Sequence, residues 1–111
     1  MARQTKIRRV CVNPDSRIFI PQEGRGFIDM SLEELEAIRL CDMEELGQDE
    51  AAQRMGVSRG TFQRILYSAR KTTATALCNS LVILIRGGNY ESPESDCPCP
   101  YACTTCPQEK E

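Results

Sequence analysis

The chain has 111 residues, of which 41% are hydrophobic and 27% are charged, and its 14 Lys and Arg stand against 16 Asp and Glu. This length suits one domain, and because residues 81–85 are the longest apolar run and no apolar signal segment opens the chain, we expect a cytoplasmic protein without a membrane anchor. With no histidine, the commonest general base is absent and no Ser/His/Asp or Cys/His arrangement can be drawn, so we expect no enzyme.

The amino-terminal region reads as a β-hairpin. Residues 8–12 and 17–21 are rich in β-branched side chains, and they flank the sequence from Asn13 to Ser16. Pro14 suits the second position of a type I turn, because its ring fixes φ near the value that this position requires. Residues 22–26 then read as a loop.

A capped helix is predicted over residues 31–42. Ser31 and Glu34 have the spacing of a capping box, in which each side chain bonds the backbone N–H of the other residue. The helical period predicts that apolar side chains face the core and that acidic ones point outward. The expected core residues are Leu32, Leu35, Ile38 and Met43, and the expected outward acids are Glu33, Glu34 and Glu36.

The next two predicted helices, 48–55 and 58–78, have the pattern of a helix-turn-helix. Ala52 supplies the small side chain that lets the helices touch, and Gly56 can adopt the left-handed conformation that ends the first helix. Ser58 is placed to cap the second helix. Apolar residues on both helices share one register, namely Met55, Val57, Phe62, Ile65, Leu66, Ala69, Thr73, Ala76 and Leu77.

A strand over residues 81–86 follows, and then the turn signal of Gly87 and Gly88. This strand is too apolar to stand alone, so we expect it to pair with the hairpin or with the same strand of a second subunit, which favours a homodimer. The predicted fold is mainly α: a three-helix DNA-binding domain over residues 1–90, with flanking strands and a Cys-rich tail over residues 91–111.

Charge is distributed in blocks. Residues 29–50 hold nine acids against Arg39 alone, whereas residues 51–90 contain no Asp or Glu and six basic side chains. A net charge of −2 therefore does not exclude a nucleic-acid partner, because a basic helix could meet phosphate while the acids face away. The alternative is that both blocks are simply solvated surfaces.

Double-stranded DNA is the partner that this pattern favours. If the third helix enters a major groove, its first turns and its outer side must hold the base-reading side chains. Arg59, Gly60, Gln63 and Arg64 meet that condition, and Tyr67 and Arg70 follow further along the helix. Ser58, Thr61 and Lys71 are candidates for phosphate contacts.

The tail carries a cysteine cluster, Cys97, Cys99, Cys103 and Cys106. Four thiolates could hold zinc or an iron–sulfur cluster. The spacing is atypical, because paired C-x2-C knuckles on either side of a longer loop are the strong zinc pattern. Reversible disulfide formation and incidental thiols remain alternatives. The scattered Cys11, Cys41 and Cys78 are expected to be small core residues.

Several stretches carry a resemblance to a known family, namely Arg8-Arg9-Val10, Phe19 with Pro21, the run from Leu32 to Leu40, Glu50-Ala51-Ala52, the run from Met55 to Arg59, Thr61-Phe62, Arg64-Ile65-Leu66, Ala69-Arg70 and Gly87-Gly88-Asn89-Tyr90. Together they resemble a prokaryotic family of predicted DNA-binding proteins, domain of unknown function 134. The resemblance covers about residues 2–90, and its central part is similar to the helix-turn-helix of sigma-factor region 4, which implies a role in transcription. Gly60 stands where the family pattern favours glutamine.

The leading hypothesis is a transcriptional regulator that binds duplex DNA sequence-specifically as a homodimer. One alternative is a regulator whose cysteine tail responds to a metal or to redox state and controls DNA binding. Another is a protein-interaction module, in which the acidic helix docks on RNA polymerase through Glu33, Glu34 and Glu36.

Overall fold

The computed structural model describes residues 7–91. Three helices lie between strands that come from both ends of this range, and helical residues predominate. Of the described helices, none is both long and apolar enough to cross a membrane. The elements are β1 (Arg8–Arg9), β2 (Ile18–Phe19), β3 (Phe27–Met30), α1 (Leu32–Ile38), a π-helical segment (Arg39–Met43), α2 (Gln48–Met55), α3 (Arg59–Asn79), β4 (Val82–Ile85) and β5 (Tyr90–Glu91).

The predicted capping box fixes the start of α1. The Ser31 hydroxyl accepts a hydrogen bond from the Glu34 N–H at 3.1 Å, and the Glu34 carboxylate accepts one from the Ser31 N–H at 3.0 Å. After Ile38 the helix widens into the π-helical segment, where the Glu44 N–H donates to the Arg39 carbonyl at 2.8 Å. The helix predicted over residues 31–42 is confirmed, with one wide turn at its end.

The turn between α2 and α3 is also confirmed. Gly56 has φ of 72°, a left-handed conformation, and its N–H donates to the carbonyls of Ala52 and Gln53. Ser58 caps α3, because its hydroxyl accepts a hydrogen bond from the Thr61 N–H at 3.2 Å. The predicted end of α2 and the predicted start of α3 therefore each lie within one residue of the boundaries in the structure.

The three helices bury one apolar core. Ala52 is nearly inaccessible where α2 meets α3, and Val57 packs against the same core from the turn. Phe62 is fully buried and is the largest side chain of this cluster. The buried members are Ala37, Leu40, Ala51, Ala52, Met55, Phe62, Ile65 and Leu66.

The predicted β-hairpin is wrong. β1 pairs in parallel with β5, with Arg8 opposite Tyr90, whereas β2 pairs antiparallel with β4, with Ile18 opposite Leu84. The two amino-terminal strands thus lie in different sheets, and each takes its partner from the other end of the described chain. The carboxyl-terminal strand pairs with β2, one of the two alternatives expected for it.

β4 is the central strand of a three-stranded sheet. Its other neighbour is β3, a strand that sequence reasoning missed, and the pairing is parallel. Because β4 has a strand on both sides within one chain, its backbone needs no strand from a second subunit. An unpaired edge of this strand is therefore no longer an argument for a homodimer. A second core lies between the sheet and α1, and it consists of Val10, Val12, Met30, Leu32 and Ile85.

Four expectations about side-chain burial are wrong. Glu36 was expected to point outward and is 2% exposed. Met43 and Leu77 were expected in the core and are 58% and 73% exposed. Cys78 is exposed too, while Cys11 and Cys41 are half-buried. Met43 is displaced because the wide π-helical turn changes the helical period, and for the others the position of the neighbouring segment was not known.

Glu36 is buried because the amino-terminal segment crosses over α1. Its carboxylate accepts hydrogen bonds from the N–H groups of Cys11 and Val12, each at 3.2 Å, and from the Arg39 guanidinium at 2.9 Å. Arg39 also lies 3.4 Å from the Glu44 carboxylate. A buried charge is tolerated when it is paired and hydrogen-bonded in this way.

Candidate nucleic-acid interface

The amino-terminal part of α3 presents an exposed side. Gly60, Arg64, Tyr67 and Lys71 recur every three or four positions, which places them in one row, here called the outer face. All four are exposed, whereas Phe62 on the opposite side of the helix is fully buried. The structure therefore brings together four of the nine residues predicted to contact DNA.

The two cations of the outer face carry no ion pair within the described range. The salt bridges of residues 7–91 leave out both Arg64 and Lys71. Since α3 itself contains no acid, nothing on the helix neutralises these charges. Their positive charge is available to a polyanion without any prior bond being broken.

Two other predicted contacts lie on the flank of α3 and are ion-paired. Arg59 is 3.3 Å from the Asp49 carboxylate, and both side chains are largely exposed. Arg70 donates two hydrogen bonds to Asp42, at 3.2 and 2.8 Å, and this hydrogen bonding raises the pKa of Arg70 above its ordinary value. Exposed pairs of this kind are weak, so phosphate could compete for Arg59.

The other three predicted residues, Ser58, Thr61 and Gln63, form hydrogen bonds in two separate side-chain pairs. The Ser58 hydroxyl caps the helix and donates to the Thr61 hydroxyl at 3.1 Å. The Gln63 side-chain amide donates to the Tyr67 hydroxyl at 3.4 Å. Ser58 and Thr61 thus have a structural role at the helix start, and Tyr67 holds the Gln63 amide on the exposed side of α3.

Gly60 is not required by any contact within the chain. A Cβ atom built at this position meets no atom within 4 Å, and the residue lies in the first turn of a regular helix. A longer side chain fits here without displacing a neighbour. No contact among the described residues explains the glycine at this position.

A family assignment can be made for the chain as a whole. The family described as "Protein of unknown function DUF134" matches residues 1–93. The chain belongs to this family. No solved structure matches it.

Its relatives include three named UPF0251 proteins. That of Caldicellulosiruptor bescii is 48% identical over 107 residues, which cover 96% of this chain and 74% of the relative. That of Ruminiclostridium cellulolyticum is 49% identical over 100 residues, covering 87% and 79%. That of Clostridium tetani is 46% identical over 110 residues, covering 96% and 72%. None of these names states a ligand or an activity.

The acids of α1 are occupied by contacts within the chain. The Glu33 carboxylate accepts a hydrogen bond from the Asn89 N–H at 3.1 Å and lies 3.7 Å from the Arg8 guanidinium. Glu34 completes the capping box and accepts a hydrogen bond from the Ser68 hydroxyl. With Glu36 buried, α1 does not present the free acidic row that a polymerase-docking surface would need.

The cysteine cluster predicted to hold zinc or an iron–sulfur cluster lies outside the described residues. Within residues 7–91, no three His, Cys, Asp or Glu side chains are grouped closely enough to hold a metal ion. Cys41 is half-buried beside Asp42, and burial, followed by the charge of that carboxylate, raises the pKa of its thiol above the ordinary value.

Sequence reasoning missed a groove beside the carboxyl-terminal half of α3. It has a volume of about 660 Å³, and it lies between α1 with its π-helical segment, α3 and the sheet. A signal for it was present in the sequence: residues 72–85 contain no charged side chain although 27% of the chain is charged. A charge-free stretch that includes an exposed helix side indicates a surface that something covers.

Proposed function

We propose that this protein binds double-stranded DNA sequence-specifically, with α2 and α3 as a helix-turn-helix and α3 in the major groove. The observation that carries the proposal is the outer face of α3, whose two cations lack an ion pair in the described range and whose start is fixed by the Gly56 turn and the Ser58 cap. A recognition helix needs this combination, because base recognition requires a helix that is held in a fixed position and that exposes polar side chains.

The side chains divide into base-reading and phosphate-binding roles. Arg64 is the first candidate for a bidentate contact with guanine, and Gln63 for one with adenine. Lys71 lies two turns further along the outer face, where the helix would leave the groove and meet the backbone. Arg59 joins as a phosphate contact when its pair with Asp49 opens, whereas Arg70 stays paired with Asp42.

Transcriptional regulation is the role that such binding would serve, and the likeness of the central region to sigma-factor region 4 supports it. Contact with RNA polymerase stays a separate proposal. The acidic side chains of α1 are engaged in contacts within the chain, so reversing their charges would also destabilise the fold and could not discriminate between the two roles.

A binding titration tests the DNA proposal. Fluorescence anisotropy with sequences selected from random duplexes should give saturable binding at low salt, and affinity should fall as salt rises. Arg64→Ala should reduce discrimination against the wrong base by about 1 to 3 kcal/mol. Lys71→Ala should weaken all sequences alike and reduce the salt slope by about 1.

Arg25→Ala is the matched control, because Arg25 is an exposed arginine on the loop before β3. Its backbone N–H bonds the Ser80 carbonyl at the carboxyl-terminal end of α3, at the opposite end of the helix from the outer face. This variant should bind as the wild type does. Equal losses for Arg25→Ala and Arg64→Ala would show that only net charge matters, and the absence of any binding to selected or genomic duplexes at low salt would refute the proposal.

A further inference from the structure

The groove beside α3 is apolar at its base and bordered by exposed apolar side chains. Val12 and Ile85 are buried at its base, while Phe19, Met43 and Leu77 border it with 52%, 58% and 73% of their surface exposed. Each of these three leaves on the order of 100 Å² of surface exposed. Together they expose roughly 300 Å², more than a third of the roughly 800 Å² that one partner buries in a standard protein interface.

The side of α3 that lines the groove is built for helix packing. Arg70, Thr73, Ala74 and Leu77 all line it, and they recur at the three- and four-residue spacing of one helix side. Thr73 and Ala74, at the middle of this row, are small enough for a second helix to approach closely. Since the row is offset from the outer face by roughly a quarter turn, both surfaces can be used at once.

The charges around the groove fit a second copy of the same surface. The charged side chains that line it are Arg39, which is paired inside the fold, and Asp42 with Arg70, which neutralise each other at 2.8 Å. Two such surfaces can therefore meet without like-charge repulsion. Depletion of charge at the centre, with aromatic and methionine side chains present, is the composition of interface cores.

From these observations we infer that the groove is a homodimer interface, in which the carboxyl-terminal halves of two α3 helices pack antiparallel about a two-fold axis near Ala74. Leu77 of each copy then lies in the other copy's groove, at the end where Met43 is exposed. This interface lies on α3 and the groove, and it does not use the strand edge expected from the sequence.

Helix geometry gives independent support, and this step rests on the proposed function. With the axis at Ala74, the two Gln63 residues lie about 33 Å apart along the helix direction at 1.5 Å per residue. Successive major grooves on one side of B-DNA are about 34 to 36 Å apart. In this arrangement both outer faces also point the same way along the two-fold axis, so a single duplex can meet both.

Sedimentation velocity of the full chain, without DNA, tests the interface. The wild type should sediment as a dimer of 12.5 kDa subunits at micromolar concentration. Leu77→Lys should raise the dimer dissociation constant at least tenfold, because it places a charge in the apolar groove of the other copy. Ala74→Lys serves as a second variant, since lysine suits an exposed helix position and should leave the fold intact.

Ile20→Lys is the matched control. Ile20 is 71% exposed, as Leu77 is at 73%, but it does not line the groove. Its variant should remain dimeric with the same melting temperature. If the dimer dissociates in Ile20→Lys and not in Leu77→Lys, the interface lies on the sheet and the proposal is overturned. A Leu77→Lys protein that stays dimeric also overturns the proposal.

Other occupants give different outcomes. A monomeric wild type at 100 µM overturns the proposal, and native mass spectrometry showing a small apolar molecule lost in Leu77→Lys would assign the groove to a ligand. Because no DNA is present, a failure of DNA binding leaves this test unchanged. Conversely, a monomer that still binds selected DNA would overturn the interface and leave the proposed function standing.

Discussion

The buried Glu36 carboxylate accepts four hydrogen bonds. It joins α1 to the amino-terminal segment and to Arg39, all with less than a twentieth of either side chain exposed. Glu36→Gln should lower the free energy of unfolding by about 3 kcal/mol, because it leaves buried donors and the Arg39 charge only partly compensated. Urea unfolding monitored by circular dichroism would measure the loss.

Glu50→Gln provides the control for Glu36→Gln. Glu50 also pairs with an arginine of its own helix, Arg54 at 3.1 Å, but its carboxylate is half exposed to solvent. The expected loss is below about 0.5 kcal/mol. Similar losses for the two variants would contradict the importance given to the buried contacts.

Cys41 offers a test that depends on pH. The thiolate is the reactive form, so the raised pKa of Cys41 predicts slow alkylation at pH 7.5 and a rate that continues to rise above the range of an ordinary thiol. Asp42→Asn removes a negative charge that contributes to this shift, and it should therefore speed the reaction. Peptide-resolved mass spectrometry separates Cys41 from the other cysteines.

The control for this experiment is Asp49→Asn, which removes a carboxylate that does not contribute to the pKa shift of Cys41. It should leave the alkylation rate of Cys41 unchanged. An Asp42→Asn protein with an unaltered or slower rate at Cys41 would show that burial alone controls this thiol.

At the scale of elements, the two glycines near the start of α3 should respond in opposite ways to substitution by alanine. Gly56→Ala should destabilise the protein by about 1 kcal/mol or more, because alanine at φ of 72° is strained. Gly60→Ala should stabilise it by roughly 0.5 kcal/mol, because the position is helical and open. Thermal unfolding of both variants measures whether each substitution lowers or raises stability. A change in the same direction for both would contradict the different roles given to Gly56 and Gly60.

These helices were predictable because their signals are local. The Ser31 capping box, the Gly56 turn and the Ser58 cap each act within four residues, so the sequence alone fixes them. The strands were less predictable because their partners lie far away in the chain. The turn residues around Pro14 favoured a local hairpin, but β2 pairs with β4, whose continuous apolar run is typical of a central strand.

For the candidate site, the sequence predicted which residues take part but did not predict how their side chains are arranged. All nine expected residues lie on α3 or at its cap, yet the sequence did not show which arginines would be ion-paired. Asp42 and Arg70 meet because the π-helical segment and α3 cross in space, at a sequence separation of 28. Pairing at that distance depends on the packing angle of two helices, which no local pattern specifies.

At the scale of the whole molecule, the segment after β4 completes the fold. The Gly87 carbonyl accepts a hydrogen bond from Leu32 at 3.0 Å, and the Asn89 carbonyl accepts one from Arg8 at 3.2 Å. A chain ending at Arg86 should lose about 2 to 4 kcal/mol of unfolding free energy relative to one ending at Glu91, since several backbone bonds and the β1–β5 ladder disappear. Urea titration of the two chains measures the difference.

A chain ending at Glu91 also reports on the sheet directly. If β1 held its place without β5, amide hydrogen exchange at Arg8, whose N–H donates to the Asn89 carbonyl, would be equally slow in both truncated chains. We expect faster exchange in the shorter chain and unchanged protection in the core of α3, because Phe62 and Leu66 belong to the buried cluster of the three helices.

The pairing of β1 with β5 also sets an order of events during folding. The contacts of α2 with α3 are short in sequence, so they can form early, whereas both amino-terminal strands must wait for partners from the far end of the described chain. The helical unit proposed to hold DNA is therefore expected to form before the sheet. During synthesis, the backbone of β2 would remain without its partner strand until β4 leaves the ribosome. This unpaired apolar segment is therefore a site where a chaperone would bind.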